Sequence, residues 1–228
     1  MGFDLQGLPI ALSHGHFDHT GGLESVLKLT GPSKVYCHPD AFAPKYAKLQ
    51  GKLLYIGMRK SREEYESLGA VFCVSREPRL LAEGIWLTGE IPRVTDFEIL
   101  EENLLVMDPE KRIDPLLDDQ ALVLETKKGL LIILGCAHSG MINTIEHAQK
   151  ITGIEEIAGI IGGTHLGFGE GDTAARKVKL SKTVQALLRY DIGLLGVSHC
   201  TGLKASAQLY AAFGDRFIFN NAGTVINL

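Results

Sequence analysis

A chain of 228 residues that is 45% hydrophobic and 22% charged can bury a core of its own, which excludes a disordered or fibrous protein. Its 27 acidic and 23 basic residues give a formal net charge of -4, so no general electrostatic pull draws it to nucleic acid or to an acidic membrane surface. No apolar run reaches the length of a bilayer span, and Met1-Gly2-Phe3-Asp4 lacks the basic start and apolar stretch of a secretion signal; the expected setting is the cytoplasm.

Along the chain, Pro9 to Leu12 reads as a short strand that feeds the run Ser13-His14-Gly15-His16-Phe17-Asp18-His19. Thr20-Gly21-Gly22 then opens a helix on which Leu23, Val26 and Leu27 recur at helical spacing. Val35 to Cys37 is a second strand and Leu53 to Ile56 a third, before a helix over Ser61 to Leu68 whose Ser61 and Glu64 have the spacing of a capping box. Ala70 to Val74 and Ile85 to Thr88 are strands. The stretch from Arg93 to Asp119 carries nine acidic residues against three basic ones and is broken by prolines, so it is expected as an insertion, either a lid or a solvated excursion.

Ala121 to Thr126 and Leu130 to Leu134, joined by Lys127-Lys128-Gly129, form the clearest hairpin. Helices follow at Ile142 to Ile151, Thr173 to Tyr190 and near Leu203 to Phe213, with strands at Ile157 to Ile161, Ile192 to Val197 and Phe217 to Phe219. Gly167-Phe168-Gly169-Glu170-Gly171 lacks the context of a dinucleotide fingerprint and reads as a loop. Hairpins early and strand-helix-strand units late predict an α/β layered architecture in one domain over 1–228.

Three imidazoles and a carboxylate within six positions, His14 to His19, are the ligand types that zinc and its neighbours take. By two-residue alternation His14 and His16 project to one side, whereas Asp18 and His19 follow on a tighter turn and face a second ion. His138, in Gly135-Cys136-Ala137-His138-Ser139-Gly140, stands at the end of an apolar strand, where loops build sites. His199 repeats that situation after Leu194 to Val197, and both are expected to ligate. His165, in Gly162-Gly163-Thr164-His165-Leu166, occupies a third such end and is open to three roles: ligand, substrate contact or proton donor. His38 and His147 are read as structural or exposed. The four cysteines, Cys37, Cys73, Cys136 and Cys200, include no C-x-x-C pair, so reduced thiols are expected and neither a zinc ribbon nor an iron-sulfur cluster follows.

The loop Ser13 to His19 with Gly21-Gly22-Leu23 resembles the signature of the metallo-β-lactamase superfamily. Thr88 to Arg93, Asp119-Gln120-Ala121-Leu122, Gly135 to Gly140, Gly162 to Leu166 and His199-Cys200-Thr201-Gly202 resemble one branch of it. That branch holds metal-dependent hydrolases of β-lactamase superfamily II and proteins similar to the dihydropterin ribofuranosylaminobenzene phosphate synthase of pterin metabolism. The resemblance implies an αββα sandwich with His14, His16 and His138 on one ion and Asp18, His19 and His199 on another. The ions would be zinc, with manganese or iron as alternatives, and would deliver a shared hydroxide to a small phosphorylated or heterocyclic metabolite. Asp18 would orient that water, and His165 would protonate a leaving group or hold an oxyanion.

This chain departs from the family pattern in three places. The register of the usual bridging aspartate falls on Gly135-Cys136, so that Cys136 or solvent bridges, or His138 serves there. The usual third histidine motif reads Thr88-Gly89-Glu90-Ile91, leaving Glu90 as a substitute or substrate contact; Cys136 and Thr201 are further substrate contacts. Family members also reach the histidine loop after several strands, whereas this sequence reaches it at His14. One sheet is therefore expected to be incomplete, with its edge completed by a second copy or by a longer gene product. Competing readings are a metal-stabilised binding protein without chemistry and an iron redox enzyme of the flavodiiron kind, although relatives of the latter carry glutamate at His16.

Overall fold

Short apolar runs become strands and amphipathic runs become helices in the computed structural model, which describes residues 4–107, 109–167 and 174–227. In chain order the elements are β1 (Ile10–Ala11), α1 (Phe17–Thr20), α2 (Leu23–Thr30), β2 (Ser33–Cys37), β3 (Lys45–Leu49), β4 (Lys52–Tyr55), α3 (Arg62–Ser67), β5 (Ala70–Val74), β6 (Arg79–Ala82) and β7 (Ile85–Leu87). They continue as β8 (Leu104–Met107), β9 (Lys111–Ile113), β10 (Leu122–Thr126), β11 (Gly129–Leu134), α4 (Met141–Thr152), β12 (Ile157–Gly163), α5 (Ala174–Leu187), β13 (Leu195–Ser198), α6 (Gly202–Phe213) and β14 (Phe217–Phe219). Residues 168–171 of the glycine-bearing loop, and Thr173 at the expected start of α5, lie outside the described residues.

Internal contacts separate two units, Met1–Glu77 with Leu100–Asp118, and Pro78–Ile99 with Asp119–Leu228. In the first, β1, β2 and β5 form a parallel three-stranded sheet, with Ile10 opposite Val35 and Val35 opposite Phe72. Leu12, Leu23, Leu27, Val35, Tyr65 and Phe72 close its core. The capping box of α3 is present, with Ser61 Oγ accepting the Glu64 N–H and the Glu64 carboxylate accepting the Ser61 N–H. The unit also holds an antiparallel sheet ordered β4-β3-β8-β9. Two of its strands, β8 and β9, lie inside the acidic stretch expected as an insertion: Leu104, Leu105 and Val106 are buried there, and so are the carboxylates of Asp114 and Asp118.

The second unit carries a seven-stranded sheet ordered β14-β13-β12-β11-β10-β7-β6. β10 and β11 form the expected antiparallel hairpin, with Leu122 opposite Ile133. From β11 onward the strands run parallel, and α4, α5 and α6 provide the successive crossovers. β11 reads Gly-Leu-Leu-Ile-Ile-Leu because it is central and largely buried, as parallel strands in layered α/β folds are. One apolar cluster, from Val123 and Ile132 to Leu195, Leu209 and Phe217, fills this unit. Parallel β11, β12 and β13 bring their carboxyl ends to one edge of the sheet, and the turns leaving that edge contain His138, His165 and His199.

Candidate metal centre

In the first unit the histidine run leaves β1 and enters the single turn of α1. His14 and His16 are buried, and His14 Nε2 lies 3.0 Å from His16 Nδ1. Two imidazole nitrogens on one tetrahedral zinc at about 2.0–2.1 Å stand roughly 3.3 Å apart, so this pair has the spacing of two ligands on one ion. Ser13 Oγ sits 3.1 Å from His14 Nδ1 and 3.3 Å from His19 Nδ1 and fixes both rings from behind. His19 Nε2 approaches Asp18 Oδ2 at 3.6 Å, on the more open side of the loop. All four residues of the run expected as ligands thus lie together.

Four contacts hold the loop. The Phe17 N–H donates to the Ile56 carbonyl at 2.8 Å, and Arg59 lies over the Phe17 ring at 5.1 Å. Gly15 packs so closely on Ala41 that a Cβ there would collide with the Ala41 carbonyl oxygen. The Gly15 N–H, in turn, donates to Asp118 Oδ2 at 2.7 Å. Asp118 belongs to a buried triad, with Lys45 Nζ 2.8 Å from Asp118 Oδ1 and 2.8 Å from Asp114 Oδ2. Burial pushes the Asp118 carboxyl up, and the Lys45 ammonium and the Gly15 N–H only partly offset this. Burial also opposes the charge on Lys45, but the two carboxylates outweigh it and hold the ammonium above its ordinary range. Sequence reasoning missed Lys45, Asp114 and Asp118; the acidic stretch that carries the two aspartates reads as surface, and Lys45 opens a strand whose charges read as surface too.

The second unit presents the strand-tip residues. His138 and His165 have ring centroids 4.2 Å apart, and both are buried. Cys136 Sγ, a His199 ring nitrogen and Cys200 Sγ all lie within 4.8 Å of one another. Ala137, His165 and His199 have φ of 49°, 49° and 52°, a left-handed backbone that costs a non-glycine residue about 1–3 kcal/mol and clusters at functional sites. The His165 N–H donates to Cys200 Sγ at 3.2 Å. The Cys200 thiol is drawn down to about 6, first by its hydrogen bond with Cys136 and then by His165 and His199, against burial. Cys37, in the first unit, is pushed the other way by burial, up to about 12.

The His138 turn has its own supports. Its carbonyl accepts from Arg93 at 2.8 Å, the Ser139 N–H donates to Asp119 Oδ2 at 2.7 Å, and the Asn143 side chain donates to the Ser139 carbonyl at 2.7 Å. Asp119 is buried and its Oδ1 has no hydrogen-bond partner among the described residues. A buried carboxylate oxygen without a donor is stabilised by a cation, so the residues present fit a metal. Thr201 Oγ1 accepts from Thr164 and donates to the Ser198 carbonyl, which ties the β12 and β13 exits together. Glu90 is half-buried after β7 and belongs to no grouping of three metal donors among the described residues.

A mixed α/β fold with imidazoles gathered on one short loop and at parallel strand tips offers donor groups that could hold a metal ion, and comparison places it. The family model described as metallo-beta-lactamase superfamily matches residues 10–148, and this chain belongs to that superfamily. It is 31% identical over 230 residues to the 7,8-dihydropterin-6-methyl-4-(beta-D-ribofuranosyl)-aminobenzene-5'-phosphate synthase of Methanocaldococcus jannaschii, covering 95% of this chain and 74% of that protein. It is 34% identical to a second protein of that organism, described as uncharacterized, covering 100% of this chain and 79% of the other. The crystal structure of Tm1679, described as a metal-dependent hydrolase of the beta-lactamase superfamily, superposes with a TM-score of 0.78 at 24% identity, over 96% of this chain and 78% of that one. The expected metallo-β-lactamase-type α/β fold is therefore the fold observed. No helix among the described residues is long and apolar enough to cross a membrane.

Proposed function

We propose that this protein is a divalent-metal-dependent enzyme that hydrolyses, or transfers a group from, a small phosphorylated or heterocyclic metabolite in a reducing cytoplasm. The observation that carries the reading is the buried His14–His16 pair, 3.0 Å apart on a loop clamped through Gly15. The name of the synthase relative supports the substrate class, since it combines a pterin, a ribofuranosyl group and a phosphate, and it favours transfer beside hydrolysis. We read 1–228 as one catalytic domain with 93–119 as its acidic insertion.

In this reading His14, His16 and His138 hold one ion, and Asp18, His19 and His199 the other. Zinc suits a shell this rich in imidazole. When bound, such ions lower the pKa of a shared water and act as Lewis acids on a carbonyl or phosphoryl oxygen. Asp18 orients the attacking water through its carboxylate. His165 gives a proton to the leaving group, the general-acid role that imidazoles fill in many active sites. Glu90, Cys136 and Thr201 contact substrate.

Replacing His16 with alanine tests this. Metal content, measured by emission spectroscopy, and turnover of phosphodiester and lactone probes should fall together. Unchanged metal stoichiometry in the variant would overturn the assignment.

A further inference from the structure

We propose that Cys136, His199 and Cys200 form a thiolate-bearing cation site, carried wholly by the second unit and taking a thiophilic divalent ion such as zinc. The proposal shares His199 with the reading above and stands without it.

The placement is specific. Cys136 lies two residues beyond the end of β11 and Cys200 two residues beyond the end of β13, so the two cysteines leave strands separated by β12. Strands two apart in a sheet are about 9–10 Å apart, too far for their sulfurs to share an ion unless the tip between them is bare. It is bare: β12 ends at Gly163, where a Cβ would lie 2.9 Å from Cys200 Sγ, 3.4 Å from Cys136 Cα and 2.5 Å from the Gly135 carbonyl oxygen. Glycine therefore lets the two cysteines close over the strand tip, and their sulfurs and a His199 nitrogen come within 4.8 Å of one another.

The surroundings suit anionic sulfur. Cys136 and Cys200 are buried, no disulfide joins any of the four cysteines, and the His165 N–H is aimed at Cys200 Sγ from 3.2 Å. A backbone N–H directed at sulfur supports the charged form, as such donors do around metal-bound thiolates. His199 has a left-handed φ of 52°, and one of its ring nitrogens lies within 4.8 Å of both sulfurs. Two sulfurs and one imidazole leave a fourth tetrahedral position for solvent or a substrate atom. Soft donors of this kind select zinc or cobalt over magnesium, calcium or manganese.

The test is cobalt spectroscopy on the whole chain, made metal-free under a phosphine reductant and titrated with Co2+. The expected result is a near-ultraviolet thiolate-to-cobalt band that is weaker in Cys136→Ser and in Cys200→Ser, absent in the double variant and retained in His14→Ala. Stoichiometric Co2+ binding without that band would overturn the proposal. A second measurement needs no variant. Zn2+ should protect two of the four thiols of the wild-type protein from an aromatic disulfide reagent until a chelator is added; equal reactivity with and without Zn2+ would overturn it too. Neither readout involves turnover, so loss of the hydrolase reading and loss of the thiolate site are told apart.

Discussion

Asp118 Oδ2 accepts the Gly15 amide hydrogen at 2.7 Å while Lys45 holds the other oxygen at 2.8 Å, so the middle of the His-Gly-His run hangs from a buried ion pair. Removing one partner of such a pair leaves an uncompensated charge and costs about 3–5 kcal/mol. Asp118→Ala should therefore lower stability by that order in urea titration. It should also weaken metal binding by about 10–100-fold, as loss of a supporting partner does. Wild-type affinity in a folded variant would show that the loop holds its shape unaided.

Gly15→Ala should abolish metal binding even where the protein stays folded, because the new Cβ meets the Ala41 backbone, which cannot swing away. Gly22, where an added methyl would meet nothing within 4 Å, is the matched control. Gly22→Ala should keep full metal content by isothermal titration.

Glu98 lies far along the chain from α4 yet stands in for its cap. Its two oxygens accept the N–H groups of Ile142 and Asn143, and Gly140 must lack a side chain to admit it. Glu98→Ala leaves these donors unsatisfied, at about 1–3 kcal/mol each if buried. The drop should appear in urea titration and in faster amide exchange at the start of α4.

His147 gives a pH dependence. Its Nε2 donates to the Thr88 carbonyl at 3.1 Å, whereas its buried Nδ1 has no partner among the described residues, so a second proton would be buried unpaired. Burial accordingly lowers its pKa from 6.5. The unfolded chain then binds a proton that the folded one refuses, and stability falls as pH drops from about 6.5 towards the lower folded value. Urea midpoints should decline over that window, less steeply in His147→Gln. An identical slope in the variant would remove His147 as the cause.

Periodicity alone located the hairpin of β10 and β11 and the strand-helix-strand run from β11 to β14, because those segments bury one continuous core. The loop His14 to His19 was legible from ligand density. Strands β3, β6, β8 and β9 were not: Lys45-Tyr-Ala-Lys-Leu and Arg79-Leu-Leu-Ala carry charges at positions a propensity reading takes for surface, and pairing with distant segments makes them strands. Lys45, Asp114 and Asp118 escaped notice for the same reason, and Asp119 stands out only as part of the Asp119-Gln120-Ala121-Leu122 motif, without a role. A buried carboxylate is recognised by the donor it meets, here Gly15 N–H or Ser139 N–H, and that donor is remote in sequence.

Ala137, His165 and His199 each leave the sheet through a left-handed turn. Chain bent that way recoils unless its neighbours forbid it, and the restraint comes from the ladder joining β11, β12 and β13. Loosening that ladder, even at residues remote from any imidazole, would let the turns relax and the strand-tip donors drift apart, so the cation affinity proposed for this unit should follow how firmly three parallel strands are zipped.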